Sequence, residues 1–308
     1  MDSKRVIGQF TSEELLAVGV LYFVIGVFGF LSNLRVLLVF VRNRVLTSPK
    51  HVLHVNMAIA NMLVVAGFPI STASSFSNRW MGGYGGCQAY GVVSLLGGIL
   101  AVATVTLLCV ERYLVMCWSD TYQVVSTKSM WIIVGFCWFY AALWAIFPTM
   151  GWSRYTVNVT TVACSLDWHS KDFNHTSYVI SLTIATGIFF SIALLSLYLT
   201  HTKPTQTTYW SENTPVKEEQ VDWFSDRILL LIAGTFLVFL SLGFGPFAYF
   251  ATWNVYKKNP EVSMLAETIP PIMAKMSTTL YPLAYQLGSS KFRSTFWKPG
   301  CVANSKQE

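Results

Sequence analysis

Seven stretches of this chain are long and apolar enough to cross a bilayer, which narrows the fold more than any single motif. They cover roughly residues 13–41, 51–77, 85–116, 129–150, 177–200, 227–254 and 263–287, each about 20 residues or more, enough for a hydrocarbon core of about 30 Å with some tilt. Within lipid every backbone polar group must find its partner inside the chain, so such segments are helical. The expected fold is all-α, a bundle of seven transmembrane helices. Charge agrees. Only 12% of the 308 residues are charged and 53% are hydrophobic, whereas a globular domain carries about 25% charge to coat its surface. The sequence shows no internal repeat or low-complexity tract, so residues 1–308 are expected to form one domain. The N-terminus lacks the pattern of a cleaved signal peptide, and the first apolar run is expected to act as an uncleaved anchor. The formal charge of +6 is spread over loops without a basic cluster, which excludes nucleic acid and leaves the lipid bilayer as the surrounding partner.

Seven spans put the termini on opposite sides, and Lys and Arg placement sets the orientation. With the N-terminus outside, inner segments carry about twelve Lys and Arg and outer ones about seven, a bias toward a cytoplasmic C-terminus. The expectation is a multi-pass protein of the plasma membrane in this orientation. The sequons at Asn158 and Asn174 fall in the loop this orientation places outside. After the last span, residues 289–298 carry Phe292, Phe296 and Trp297 among Lys291, Arg293 and Lys298. That spacing predicts a short amphipathic helix on the inner membrane face before a short tail, 299–308; an unstructured tail is the alternative. Six cysteines are too few for a disulfide framework and none has zinc spacing, so no metal is expected. Cys87 and Cys164 fall in segments facing the oxidising side. Cys109, Cys117 and Cys137 read as packing residues, and Cys301, after the amphipathic stretch, suits palmitoylation.

Two basic residues lie well inside spans. Arg35 is about six residues from the inner end of the first, roughly 9 Å, within reach of a snorkelling side chain. Lys275 is about ten to twelve residues from either end of the last span, about 15–18 Å from water on both sides. A Lys at that depth costs about 2.5–3.5 kcal/mol even on the lenient insertion scale. Three accounts could offset the cost: a structural ion pair, a site for a transported anion or proton, or an amine that condenses with an aldehyde. Composition leaves all three open.

The motifs along the chain decide between them. Asn33 stands in the first span, LTSPKHVLHVN follows it, and Cys87 opens the third span with Glu111-Arg112-Tyr113 at its end. Trp138 lies in the fourth, Gly151-Trp152-Ser153-Arg154-Tyr155 and Cys164-Ser165-Leu166-Asp167 in the second outer loop, and Pro246 in the sixth. Pro282-Leu283-Ala284-Tyr285 and then Phe292 close the seventh, with Lys275 seven residues before Pro282. In order and register, these resemble the rhodopsin-like receptor family and, within it, the opsins. Gly243-Phe244-Gly245-Pro246 and the run from Pro270 to Lys275 look closest to the group of retinal G-protein-coupled receptor, retinochrome, peropsin and neuropsin.

The resemblance implies retinal, 11-cis or all-trans, bound covalently as a Schiff base on Lys275, with Tyr90, Ser94, Phe244, Phe247 and Ala274 around it. It implies a Cys87–Cys164 bridge, worth about 4 kcal/mol in the chain-entropy model. It also implies a switch at the inner face formed by Glu111, Arg112, Tyr113, Asp226 and Tyr285, against a heterotrimeric G protein. Arg112 with Asp226 is read as a latch that helix movement breaks; a solvated surface pair contributing little is the alternative.

The chain also departs from the pattern. Tyr90 and Asn158 occupy the two sites where opsins keep an acidic counterion, and neither is ordinarily anionic at neutral pH. A protonated Schiff base in low dielectric needs a neighbouring negative charge. Either the imine is neutral and the pigment absorbs in the ultraviolet, or another anion serves, with Asp167 and Glu267 as candidates. Tyr281 replaces the usual Asn before Pro282, Asn61 the second-helix Asp, and Phe244 the sixth-helix Trp. The expected function is a light-sensing receptor rather than an enzyme, with no catalytic residues. The alternative is a retinal photoisomerase, in intracellular membranes, which these departures fit better. An ordinary ligand-activated receptor with an incidental Lys275 is a third reading. Transporters and channels lack their signatures, paired broken helices or rings of charge.

Overall fold

The structure, a computed structural model, describes residues 10–42, 49–118, 125–158, 160–168, 170, 172–202, 234 and 264–288. The sixth span (227–254) apart from residue 234, the amphipathic segment (289–298), the tail, and the sites Asp226, Phe244, Phe247 and Cys301 lie outside the described residues, as do the side chains of Glu267 and Tyr285.

Helix α1, Ser12–Arg42, starts on a capping box: Glu14 N–H donates to Thr11 Oγ1 at 3.2 Å, while the Thr11 N–H donates to the Glu14 carboxylate at 2.8 Å. Next come α2, Pro49–Val65, and α3, Phe68–Phe76, which share one expected span. The break falls at Ala66-Gly67, where Pro69, in the first turn of α3, has no N–H to continue the ladder. Helix α4, Gly83–Cys117, is the centre of the bundle and packs on α2, on α5 (Thr127–Ile146) and on α6 (Phe173–Thr202). The N-cap of α5 is Ser126, whose hydroxyl accepts from the Ser129 N–H at 3.1 Å. Its C-terminal end tightens into a 3-10 turn, Phe147–Met150, stopped by Gly151 at φ +100°. The last described element, α7, Met264–Gly288, packs against α1 and α2.

Five spans among the described residues are long and apolar enough to cross a membrane: Ser12–Val41, His51–Phe76, Gly83–Val115, Thr127–Met150 and Phe173–Thr200. Helix α7 is less apolar because it carries Pro270, Pro271, Lys275 and the run Ser277-Thr278-Thr279. The long loop expected over residues 152–176 contains a small antiparallel hairpin, β1 (Tyr155–Val157) with β2 (Cys164–Leu166), pairing Tyr155 with Leu166 and Val157 with Cys164. Three-residue strands leave no trace in hydropathy. A disulfide joins Cys164 to Cys87 and so ties β2 to the first turns of α4.

Two amide networks fix the helices relative to one another. Trp138 Nε1 donates to Asn56 Oδ1 at 2.9 Å, and Asn56 Nδ2 donates to Thr104 Oγ1 at 2.7 Å, joining α5, α2 and α4. Asn61 Nδ2 donates to Asn33 Oδ1 at 3.1 Å, and Asn33 Nδ2 donates to the Thr278 carbonyl at 2.9 Å, joining α2, α1 and α7. Thr278 is the residue whose carbonyl Pro282, lacking an N–H, cannot serve. Asn33 fills that vacancy.

Candidate functional site

Lys275 is buried, 9% exposed, in the middle of α7. Its Nζ donates to Tyr90 Oη at 2.9 Å and to the Val64 carbonyl at 3.4 Å. Nζ also lies 5.0 Å from the Tyr90 ring centroid and 5.7 Å from that of Tyr22, within the range of cation–π attraction. Among the described residues no carboxylate forms an ion pair with it. The amine is held by one phenol, one carbonyl and two aromatic faces, all uncharged.

Each neighbour reaches that point for a local reason. Tyr90, in the second turn of α4, closes over the break between α2 and α3, because a Cβ on Gly67 would come within 2.2 Å of its ring. Tyr90 Oη in turn accepts from Ser71 Oγ at 3.0 Å, and Ser71 is fully buried in α3. Tyr22 comes from α1, also buried. Of the other expected lining residues, Ser94 is half-buried one turn after Tyr90, and Ala274 precedes Lys275 with its carbonyl accepting from Ser277 Oγ at 2.6 Å. Sequence reasoning missed Tyr22, Ser71 and Val64. The small polar run Ser71-Thr72-Ala73-Ser74-Ser75 inside an apolar span, whose Ser and Thr residues are all buried, was the available signal for Ser71. A backbone carbonyl leaves no signal at all.

Asp167, the described counterion candidate, is engaged within its own loop. Arg154 Nη2 lies 2.8 Å from Asp167 Oδ2, Arg154 Nε donates to the same oxygen at 2.9 Å, and Ser170 Oγ donates to it at 2.6 Å. His175 Nε2 is 3.9 Å away. The opposite face of that His meets Asp172, whose carboxyl is held below the usual carboxylate range, first by this hydrogen bond. Asn158 stands at the hairpin turn, half-buried, its Oδ1 accepting from Thr160 Oγ1 at 2.8 Å, whereas Asn174 is exposed in the first turn of α6. At the other end of α4, Glu111 is buried, and Tyr113 Oη accepts from Trp118 Nε1 at 3.1 Å.

The family model of the 7 transmembrane receptor (rhodopsin family) matches residues 32–285. The chain belongs to that family, as a multi-pass membrane protein of rhodopsin-like fold. Within the family it is 26% identical over 296 residues to the visual pigment-like receptor peropsin of Homo sapiens, across 95% of this chain and 87% of that protein. It is 25% identical over 292 residues to the G0-coupled rhodopsin of Mizuhopecten yessoensis, across 92% of this chain and 72% of that one. The crystal structure of squid rhodopsin has the same fold, with a TM-score of 0.78 at 21% identity, covering 96% of this chain and 89% of that one.

Proposed function

We propose that this chain is a retinal-binding opsin of the plasma membrane, one domain with its N-terminus outside, that signals light to a heterotrimeric G protein. The observation that carries the reading is Lys275, an amine buried near mid-span with no anionic partner among the described residues. A structural ion pair would need such a partner. An aldehyde needs only a nucleophilic nitrogen in surroundings that exclude water, and this site fits one. Condensation with an aldehyde would form a C=N bond at Nζ, the aldehyde oxygen leaving with the two amine hydrogens as water. Bound retinal supplies the light absorption and the isomerisation. The protein's part is to orient the nitrogen through Tyr90 and Val64, to shield it with Tyr22, and to link α7 to α1 and α2 so that a change there is felt across the bundle.

The G-protein reading is supported by the intact Glu111-Arg112-Tyr113 and by the coupling in the name of the molluscan relative. The Asp226 and Tyr285 switch roles, glycosylation at Asn158 and Asn174 and palmitoylation at Cys301 belong to the same proposal. The photoisomerase alternative is favoured by one observation. Tyr281, standing for the usual Asn, shares its hydroxyl between the His54 carbonyl at 3.2 Å and His54 Nδ1 at 3.1 Å, fastening α7 to α2. A bundle strapped in this way resists the helix movement that signalling requires.

The test is reconstitution in darkness with 11-cis and with all-trans retinal, borohydride reduction, and mass analysis of the peptide carrying Lys275. The expected result is one retinyl group on that residue, and light-dependent nucleotide exchange on a G protein. A peptide of unchanged mass would sink the covalent reading. A labelled peptide with released isomerised retinal and no exchange would favour the photoisomerase.

A further inference from the structure

Three polar atoms stand in a row at the centre of the site. Ser71 Oγ is 3.0 Å from Tyr90 Oη, which is 2.9 Å from Lys275 Nζ. They belong to α3, α4 and α7, and their residues are 0%, 8% and 9% exposed, so bulk water does not complete their hydrogen bonding. We propose that Ser71 and Tyr90 form a two-hydroxyl relay that donates into the nitrogen on Lys275 and keeps the bound imine unprotonated at neutral pH. The inference rests on the covalent reading above and adds the state of the linkage.

Counting hydrogens carries it. A neutral imine nitrogen has no hydrogen and one lone pair. The Tyr90 hydroxyl then donates to the nitrogen, Ser71 donates to the Tyr90 oxygen, and both hydroxyl hydrogens are used. A protonated imine reverses the row: its N–H donates to Tyr90, Tyr90 donates to Ser71, and the Ser71 hydrogen has no further acceptor among the described residues. If Ser71 instead kept donating to Tyr90, the phenol hydrogen would be the one left over. Buried donors without acceptors are disfavoured.

The charges around the nitrogen point the same way. Among the described residues, those facing Nζ are Tyr22 from α1, the Val64 carbonyl from α2 and Tyr90 from α4, with Ser71 of α3 behind Tyr90; none is an anion. On α7 itself the nearest acidic residue in sequence is Glu267, eight residues earlier and therefore about 12 Å along the axis. Asp167 is already compensated by Arg154. Among the described residues a positive imine would find no close negative charge, which it needs in low dielectric.

Absorption of the dark pigment against pH tests this, with the borohydride adduct measured on the same samples. The expected spectrum is a near-ultraviolet band at neutral pH that gives way reversibly to a visible band on acidification. Tyr90→Phe removes the donor and should raise the midpoint of that conversion by about one pH unit, a tenfold effect. Ser71→Ala should move it in the same direction by less, and Ser71→Thr, which restores the hydroxyl, should return it to the wild-type value. A packing role alone would not produce that rescue. An adduct with a visible band at neutral pH would overturn the relay and leave the covalent reading standing; loss of that band in Glu267→Gln or Asp167→Asn would then name the anion. An unmoved midpoint in both Tyr90→Phe and Ser71→Ala would also overturn it. Absence of any adduct would remove the covalent reading and the relay together.

Discussion

Asn33 does the work of a missing backbone N–H. Pro282 cannot donate to the Thr278 carbonyl, a fully buried position, and Asn33 Nδ2 does so at 2.9 Å while also donating to the Gly29 carbonyl at 2.7 Å. Replacing Asn33 by Leu leaves that carbonyl without its donor, at a cost of about 1–3 kcal/mol. The detergent-solubilised protein should melt several degrees lower. Pro282→Ala restores a backbone donor at the same place, so the double variant should recover much of the loss. Strictly additive losses in the double-mutant cycle would refute the assignment. Lys275 makes the opposite case. Its amine is costly where it stands, by about 2.5–3.5 kcal/mol on the insertion scale, and Lys275→Met should give retinal-free protein at least as stable as the wild type. That variant should take up no covalent retinal. A clear drop in its melting temperature would mean that the amine has a structural partner.

At the scale of elements, the break between α2 and α3 is the feature that shapes the site. It lets the Tyr90 ring pass where a continuous helix bearing a Cβ would not, the approach being 2.2 Å at Gly67. Gly67→Ala should overpack this contact at a cost of about 1–3 kcal/mol and displace Tyr90 from Lys275. Slower retinal uptake, with a lowered melting temperature, is the expected outcome; wild-type uptake kinetics would show that Tyr90 does not depend on the break. The described spans were legible in the sequence because burial in lipid demands long apolar runs, and Lys275 because a charge interrupts such a run. The break was not, although Gly67 and Pro69 were visible, because a hydropathy window averages over a two-residue interruption. Tyr90 was legible through the resemblance, as an expected lining residue and as a departure at the counterion position. That it meets both Ser71 and Lys275 depends on helix rotation, which spacing along one helix does not fix. The hairpin was hidden for a different reason: it is held by the Cys87–Cys164 bridge and by Arg154 on Asp167 rather than by strand propensity.

On the scale of the whole molecule, α7 is the element through which an event at Lys275 can spread, and two of its tethers lie C-terminal to that residue. Asn33 holds the Thr278 carbonyl, and Tyr281 holds His54, with the two rings 2% and 1% exposed. The Tyr281 hydroxyl joins α7 to α2 in the resting bundle, and outward movement of α7 would have to give it up. Tyr281→Phe keeps the ring and deletes the hydroxyl. The resting arrangement then loses about 1 kcal/mol relative to any state in which the tether is already broken, about a fivefold change in population. If the protein is a receptor restrained by this tether, Tyr281→Phe should raise the initial rate of light-dependent nucleotide exchange several-fold, while the dark absorption spectrum stays as in the wild type because Lys275 and Tyr90 are untouched. An unchanged exchange rate in a normally formed pigment would show that α7 does not move against α2 during signalling. If the wild-type pigment supports no exchange, the same variant discriminates again: exchange gained by deleting one hydroxyl identifies a restrained receptor, and continued silence with undiminished photoisomerisation identifies a protein whose output is the isomer itself.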